Sequence, residues 1–377
     1  SDFACVRFDY LKSCIETKDE PNARAVADDI VRSGEFTCKP LANNENAGLN
    51  ERSRTAFHTL FLENLSLSTG IAEEYYESKL YTEAQAELDT LSSYLSGDDN
   101  VDRLTALVDL ELKADGKSYE AAVRSAEKLK KRHPEDRDML LFCAMVEWSA
   151  FSRDKALVTM KDCQMRFQDD IQVAEEYLNM LFESNENGPY NDIDRQAAIM
   201  ADKTLSIAGN SWFSYWVKAC LALKQENFTA AVEEFVRFSE ILEPYEELRQ
   251  QYDDYAYRFA YKYAGCMQKQ NALEALEAVK DKCSFAYCYI QGISSLITDQ
   301  YEQAEYYMRQ LTENSGEFAK VRFTLGSIAY EQAMATQQPE IYKKAEAEYK
   351  ASLRICPEDA YCWFSLGLLY DRMKEYN

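Results

Sequence analysis

Six alanines recur along this chain within one local sequence pattern, and this recurrence most limits what the chain can fold into. The pattern is clearest in SYEAAVRSAEKLKKRHPED, residues 118–136. There, Tyr119, Ala122, Ala126 and Leu129 fall on one face of a helix, and Pro134 ends that helix. The reference alanines are Ala84, Ala122, Ala156, Ala231, Ala304 and Ala345. A short helix with a small residue at a fixed place predicts repeated pairs of closely packed helices.

The spacing of these alanines is regular. Successive differences are 38, 34, 75, 73 and 41 residues, so each spans one or two units of about 37 residues. Three pairs of small residues twelve positions apart repeat in the same register: Ala144 with Ala156, Ala219 with Ala231, and Gly292 with Ala304. Trp363, Leu366, Gly367 and Tyr370 match the pattern W-x2-L-G-x2-Y. The chain therefore resembles the tetratricopeptide-repeat family.

This resemblance implies an all-α fold, a right-handed superhelical solenoid of antiparallel helix-turn-helix repeats. We expect one array over residues 1–377, with an atypical hairpin and loop over 1–52 and repeats over 53–377. The first hairpin is expected over 4–33, followed by a polar loop over 37–52. The last repeat is expected to be incomplete, because its reference alanine would lie two residues beyond Asn377. On this interpretation the natural protein continues further.

Three departures from the period predict irregular segments. The polar stretch SNENGPYNDID, residues 184–194, predicts a connection between helices. The stretch MATQQPE, residues 334–340, predicts a penultimate unit lengthened by about seven residues between its helices. The unit around Ala272 is shorter than the others.

The net charge limits the kinds of partner that this chain can bind. The formal net charge is −23, which disfavours a nucleic-acid backbone and anionic lipid, because both require clustered Lys and Arg. Such acidity suits solubility, and it also suits basic protein partners. No run of eighteen apolar residues exists, so no membrane span is predicted. The segment SDFACVRFDYLKSC at the N-terminus lacks a signal-peptide pattern.

The cysteines and catalytic motifs indicate neither a metal site nor an enzyme. The chain has 11 cysteines but no CxxC pair, and His58 and His133 have no cysteine at zinc-site spacing. Buried, reduced cysteines of a cytosolic protein are the favoured interpretation, and disulfides in an oxidising compartment remain the alternative. No HExxH, GxSxG or phosphate-binding glycine loop is present. We therefore expect no cofactor and no catalysis.

Helix A of each repeat supplies the candidate binding residues, because in this family its second, fifth, ninth and twelfth places line the concave groove. The predicted partner-binding residues are Leu141, Met145, Phe213, Trp216, Tyr289, Ile293, Phe364 and Leu368. These apolar side chains either form an open groove or are buried between neighbouring A helices. The tyrosines of QQYDDYAYRFAYKYAG, residues 250–265, are interpreted chiefly as packing residues.

The sequence thus predicts a non-enzymatic scaffold that holds partner proteins within a larger assembly, in the cytoplasm. The expected partner is a helical or extended segment with apolar anchors and basic flanks. Its oligomeric state is left open. Two alternatives also remain: a secreted or periplasmic repeat protein that assembles envelope or surface structures, and the regulatory arm of an enzyme whose catalytic domain lies beyond Asn377.

Overall fold

The computed structural model describes residues 69–92, 97–112, 116–242 and 249–375. The predicted hairpin over 4–33, the loop over 37–52, Cys5, Cys14, Cys38 and His58 lie outside this described part. The chain divides into two compact units, Ser1–Gln168 and Asp169–Asn377. Each unit is described by itself, and the prediction of one continuous array stays a prediction.

Both units consist of helices connected by short turns. In the first unit the helices are α1 (69–77), α2 (Tyr81–Ser92), α3 (Asp99–Leu112), α4 (Gly116–Arg132), α5 (Arg137–Ser149) and α6 (Arg153–Arg166). In the second they are α7 (Ile171–Ser184), α8 (Asp192–Ile207), α9 (Trp212–Lys224), α10 (Phe228–Leu242), α11 (Arg249–Ala264), α12 (Gln270–Glu277), α13 (Phe285–Ile297), α14 (Tyr301–Asn314), α15 (Ala319–Thr336), α16 (Pro339–Ile355) and α17 (Ala360–Glu375). No strand occurs in the described ranges.

Consecutive helices pack as hairpins, and hairpins stack on their neighbours. We call the odd-numbered helices A helices and the even-numbered ones B helices. In most hairpins an A helix packs against the B helix that follows it, as in α5–α6, α9–α10, α13–α14 and α15–α16. Several B helices also contact the next A helix of the same unit, as α4 contacts α5 and α14 contacts α15. The predicted all-α array of antiparallel helix pairs is therefore confirmed.

The reference alanines explain how the helices approach so closely. All six have a relative exposure of 0%. On the A helices, Ala144 and Ala219 are also fully buried, and Gly292 and Gly326 lie directly beneath a side chain of the next helix. A small residue on each helix lets the two backbones come together, so the register predicted from the sequence is the packing register.

The turns inside four hairpins have the same backbone conformation at an equivalent position. Lys79, Phe151, Glu226 and Asp299 have positive φ angles of 61°, 58°, 58° and 57°. Each lies five residues before a reference alanine. Residues with a side chain rarely adopt this left-handed conformation. Four hairpins therefore turn in the same way although none has glycine at that place.

Two predicted irregular segments are confirmed and one is corrected. The connection after α7 spans 185–191 and ends in a capping box, in which Asn191 and Asp194 bond to each other's backbone N–H groups. The unit around Ala272 has a B helix of only 8 residues, α12. The extra residues near 334–340 do not lengthen the turn; they extend the helices, because α15 ends at Thr336 and α16 begins at Pro339. Proline suits the first turn of a helix, where no backbone donor is needed.

Buried ion pairs connect successive helices. In the first unit, Glu147 of α5 has no exposed side-chain surface and accepts hydrogen bonds from Lys130 Nζ (2.8 Å) and Thr159 Oγ1 (2.6 Å). In the second unit, Asp194 of α8 is equally buried and accepts from Lys224 Nζ at 2.8 Å. A buried carboxylate is costly unless its hydrogen-bond partners are in place. These contacts therefore hold α4 and α6 against α5, and α9 against α8.

Candidate partner-binding surface

The eight predicted groove residues divide into two groups. Phe213, Trp216, Tyr289 and Ile293 are buried, with relative exposures of 9%, 1%, 0% and 1%. Met145, Phe364 and Leu368 are exposed by 47%, 65% and 45%, and Leu141 is half-buried. An accessible groove is therefore absent at the four buried residues, and a role in binding stays a prediction for the other four.

Contacts between neighbouring A helices explain this burial. The ring of Trp216 in α9 packs against Tyr255 of α11 at a centroid distance of 4.6 Å and against Phe182 of α7 at 5.0 Å. Its indole N–H donates to the backbone oxygen of Tyr255 at 3.0 Å. Large aromatic residues in adjacent A helices thus fill the space between them.

The tyrosines of α11 belong to the same packing. Tyr252 and Tyr263 are buried, Tyr255 and Tyr257 are half-buried, and Tyr261 is 56% exposed. Their interpretation as packing residues agrees with the structure for Tyr252, Tyr255 and Tyr263.

The last A helix, α17, carries an exposed row of apolar side chains. Tyr361, Phe364 and Leu368 follow one another at intervals of three and four residues, so they share one helix face. Tyr361 is 77% exposed. We call these three residues the apolar stripe.

A cavity lies beside this stripe, between α11, α15 and the N-terminal end of α17. Its volume is about 710 Å³, and Tyr361 of the stripe is part of its wall. Its charged lining consists of Asp253, Asp254, Arg258, Lys320, Glu358 and Asp359. Four carboxylates therefore face two cations, and we call this the acidic cavity.

Both cations of the cavity already have carboxylate partners. Lys320 Nζ donates to Asp359 at 2.8 Å. Burial lowers the pKa of Lys320, but the hydrogen bond to Asp359 and the nearby Asp254 outweigh burial, so its pKa is raised. Arg258 bonds to Glu186 and lies over the ring of Trp216, 5.1 Å from its centroid. Arg258 is therefore paired with a carboxylate outside the cavity lining, whereas Lys320 lies 2.8 Å from Asp359 and 3.9 Å from Asp254.

The exposed acids of the cavity are Asp254 and Glu358. The side chain of Asp254 is 50% exposed and lies 3.9 Å from Lys320. Glu358 is exposed and borders the apolar stripe, three residues before Tyr361. A cation arriving from outside would meet these two carboxylates first.

Asp253 lies at the floor of the cavity and connects three A helices. It is fully buried, and its carboxylate accepts from Tyr289 Oη of α13 at 2.7 Å and from the backbone N–H of Lys320 in α15. The pKa of Asp253 is raised to about 7. Burial is the largest cause and outweighs the hydrogen bonds from Tyr289 and Lys320, which lower the pKa, while Asp254 raises it further. The N-cap residue of α15, Phe318, has no side chain that can cap the helix. Asp253 therefore caps α15 from another helix.

Sequence reasoning did not find this carboxylate network. Asp253 bonds to groups that are 36 and 67 residues away, and a periodic pattern carries no signal for such contacts.

Neither a metal site nor a membrane-spanning helix occurs in the described part of the chain. No group of three or more His, Cys, Asp or Glu residues is arranged there to hold a metal ion. None of the described helices combines the length and apolarity needed to cross a membrane.

Comparison with known proteins gives a likeness in fold only. No protein-family model matches the chain. No curated protein matches it either.

Solved structures do match, at low sequence identity. A tetratricopeptide-repeat protein from Parabacteroides merdae is 11% identical with a TM-score of 0.44, over 81% of this chain and 98% of the other. The C-terminal part of a TPR repeat-containing protein from Cytophaga hutchinsonii is 16% identical with a TM-score of 0.45, over 78% and 98%. A structure of Naa15/Naa10 bound to HypK-THB matches at 12% identity and a TM-score of 0.37, over 95% and 64%.

The class of protein follows from the helices themselves. Alternating A and B helices, small residues buried where they meet, and a repeated hairpin turn are tetratricopeptide-like. The helix arrangement itself therefore confirms the resemblance in fold that the sequence predicts.

Proposed function

We propose that this protein is a non-enzymatic repeat scaffold that holds partner proteins through the A-helix surface of its second unit. The observation that carries the proposal is the apolar stripe beside the acidic cavity. Phe364 and Tyr361 expose 65% and 77% of their surface, and contiguous exposed apolar side chains are characteristic of interaction sites.

The proposed partner is a helical or extended segment with apolar anchors and basic flanks. Apolar anchors would cover Phe364 and Leu368, and removing that surface from water drives association. A Lys or Arg beside the anchors would meet Glu358 and Asp254; Lys320 lies 3.9 Å from Asp254, whose side chain is still 50% exposed. The net charge of −23 would speed the approach of such a segment.

The buried members of the predicted groove have a supporting role in this proposal. The ring of Trp216 supports Arg258, which donates to Glu186, and Tyr289 Oη donates to Asp253. In the first unit, Leu141 and Met145 remain candidates for a second contact. The cytoplasm is the compartment we propose, because Cys143 and Cys220 are buried free thiols.

The test is capture of partners from the source cells by gentle cross-linking and mass spectrometry, with wild type and two double variants. Phe364→Ser with Leu368→Ser removes the centre of the stripe. Val158→Ser with Ile199→Ser removes two residues that are 68% and 70% exposed on B helices. We expect a stoichiometric partner that the first double variant loses and the second retains. Equal capture by both variants would contradict the proposed surface.

Charge reversal tests the basic flank of the partner. Glu358→Lys should weaken binding of the captured partner and reduce its dependence on salt, because it removes an attractive carboxylate. Glu331→Lys, at an exposed position of α15, is the matched control. If both reversals weaken binding equally, only the net charge matters and the acidic cavity has no specific role.

A further inference from the structure

A B helix of the first unit, α4, differs in charge from the chain as a whole. It contains six cations and two carboxylates, a formal charge of +4. The B helices α2, α10 and α14 have formal charges of −3, −2 and −2. Two of the cations, Lys130 and Arg132, are already bonded to carboxylates of α5 and α3. The remaining positive charge lies on the surface of an otherwise acidic protein.

Three exposed cations of α4 form a row along one helix face. Arg124, Lys128 and Lys131 follow one another at intervals of four and three residues, and all three are exposed. Lys128 and Lys131 form no salt bridge within the described part of the chain. Arg124 lies 3.6 Å from Glu120, but both side chains are more than 60% exposed, and such a pair contributes little. We call these three cations the basic ridge.

The carboxylate of Glu127, which lies beside the ridge, has a partner of its own. It accepts a hydrogen bond from Lys155 Nζ of α6 at 2.6 Å. This bond is the main reason why the pKa of Glu127 lies below its usual value, and the charges of Lys130 and Lys131 lower it further. Because Lys155 already pairs with Glu127, the ridge keeps most of its charge for another carboxylate.

A cavity lies at the N-terminal end of the ridge, between α4 and the turn from α5 to α6. Its volume is about 470 Å³, and its apolar lining consists of the buried Val123 and Ala150 with the rings of Tyr119 and Phe151. The two rings meet edge to face, at a centroid distance of 5.6 Å and an interplanar angle of 83°. We call this cavity the aromatic notch. Arg124 belongs to both its lining and the ridge, so the two surfaces are continuous.

Phe151 is the unusual member of the turn position that four hairpins share. The residues at the equivalent places, Lys79, Glu226 and Asp299, are polar. Phe151 has a φ of 58° and is 72% exposed. A bulky residue is rare in this conformation, and the contact with Tyr119 leaves most of the Phe151 ring in water. Backbone strain combined with exposed apolar surface is typical of a binding site.

We propose that the aromatic notch and the basic ridge bind an acidic segment of a partner protein that has one aromatic side chain as its anchor. The anchor enters the notch against Tyr119 and Phe151, and carboxylates beside it pair with the cations of the ridge. Tyr119 and Lys131 are about 18 Å apart along α4, so an extended segment of about six residues covers this distance. The site goes beyond the proposed function, because it takes a partner of the opposite charge and shares no residue with the stripe or the acidic cavity.

The charge distribution favours an acidic peptide over a nucleic acid. Aromatic rings beside cations can also hold single-stranded RNA. A long polyanion would, however, extend beyond the ridge onto a chain with a net charge of −23, and Glu120 lines the notch itself. A peptide can place its carboxylates against the cations alone.

The probe is a short fluorescein-labelled synthetic peptide, in which alternating Asp and Glu residues flank one phenylalanine on both sides. Fluorescence anisotropy with the full chain should show saturable one-to-one binding that weakens as salt is raised. Replacing the phenylalanine of the probe with alanine should weaken binding about tenfold, because the anchor is lost. A probe with lysine in place of every acid should lose binding to this surface.

Three variants of the protein decide where the probe binds. Phe151→Asn removes the ring but keeps a residue that tolerates the left-handed turn, so it should fold normally; circular dichroism checks this. Lys128→Glu with Lys131→Glu reverses two charges of the ridge. Lys280→Glu with Lys343→Glu makes the same change in net charge at two exposed positions of the second unit. We expect the first two variants to bind about tenfold more weakly and the third to bind as wild type does.

Four results would overturn the proposal. The probe could fail to saturate by about 1 mM, or Phe151→Asn could bind it as tightly as wild type does. The control pair of reversals could weaken binding as much as the ridge pair, in which case only the net charge matters. Single-stranded RNA of the same charge could displace the labelled probe at a lower concentration than unlabelled probe does, which would show that the surface selects phosphates.

Discussion

Three equivalent glycines allow one substitution to be compared in three environments. Gly292, Gly326 and Gly367 occupy the same place in α13, α15 and α17, but the first two are covered and the third is open. Replacing each with alanine removes the same unfavourable helix propensity, which is worth about 1 kcal/mol in the free energy of unfolding. Any difference in stability between the three variants therefore measures the contact between the new methyl group and the side chain that covers it.

The geometry gives the expected order of stability. At Gly367 the new Cβ meets nothing, so Gly367→Ala should stabilise α17 by up to about 1 kcal/mol. At Gly326 the Cβ would lie 2.6 and 2.7 Å from two ring carbons of the buried Tyr349, and overpacking of this kind costs about 1–3 kcal/mol. At Gly292 the obstructing atom is the end of the flexible Met308, so the cost should be intermediate.

Hydrogen exchange measured helix by helix, together with urea unfolding, tests this order. We expect slower exchange in α17 of Gly367→Ala and faster exchange in α15 of Gly326→Ala. The two variants should differ by about 2 kcal/mol. If Gly326→Ala is as stable as Gly367→Ala, the glycine positions are not the points of close helix packing that the geometry indicates.

Three other substitutions have expected results. Lys224→Met leaves the buried Asp194 without its cation and should lower the free energy of unfolding, measured in urea, by about 3 kcal/mol. Adding Asp194→Asn should recover part of this loss, because the unpaired buried charge is then removed. An equal loss in the double variant would contradict a stabilising ion pair between Lys224 and Asp194. Lys79→Gly should raise the free energy of unfolding by about 0.5–1 kcal/mol, because glycine adopts a positive φ without strain. Lys79→Ala should leave the free energy of unfolding unchanged, and equal effects of the two substitutions would contradict backbone strain at this position. Because the folded pKa of Asp253 is raised to about 7, its stabilising contribution is complete below about pH 4 and falls as the pH rises to 7. Asp253→Asn should therefore flatten the pH dependence of unfolding in that window, and an unchanged profile would contradict the raised pKa.

The sequence predicts the helix pairing well because the relevant signal is local and repeated. An alanine at a fixed place in each B helix can be found by its period, and in the structure all six reference alanines are fully buried. The accessibility of the groove could not be predicted in the same way, and the sequence left an open groove and buried side chains as alternatives. The place of Trp216 or Tyr289 within its helix gives the direction of the side chain, but it does not show how closely the next A helix lies.

Two further features lay beyond sequence reasoning for physical reasons. The contact of Asp253 with Lys320 joins helices far apart in the chain, so no spacing indicates it. The residues near 334–340 contain a proline and polar amides, which indicate a loop. They instead extend two helices, because proline at the start of α16 suits the helix and Gln337 adopts a left-handed turn with a φ of 54°.

The bridging role of Asp253 has a consequence for how this array could change in evolution. Repeat proteins commonly gain and lose whole units, because each unit depends only on its immediate neighbours. Asp253, however, bonds to two different hairpins, through Tyr289 and Lys320. Deleting the α13–α14 hairpin would remove Tyr289 and leave a buried carboxylate with one donor fewer. Residues 249–336 should therefore be inherited as one block of fixed length, while insertions and deletions accumulate elsewhere.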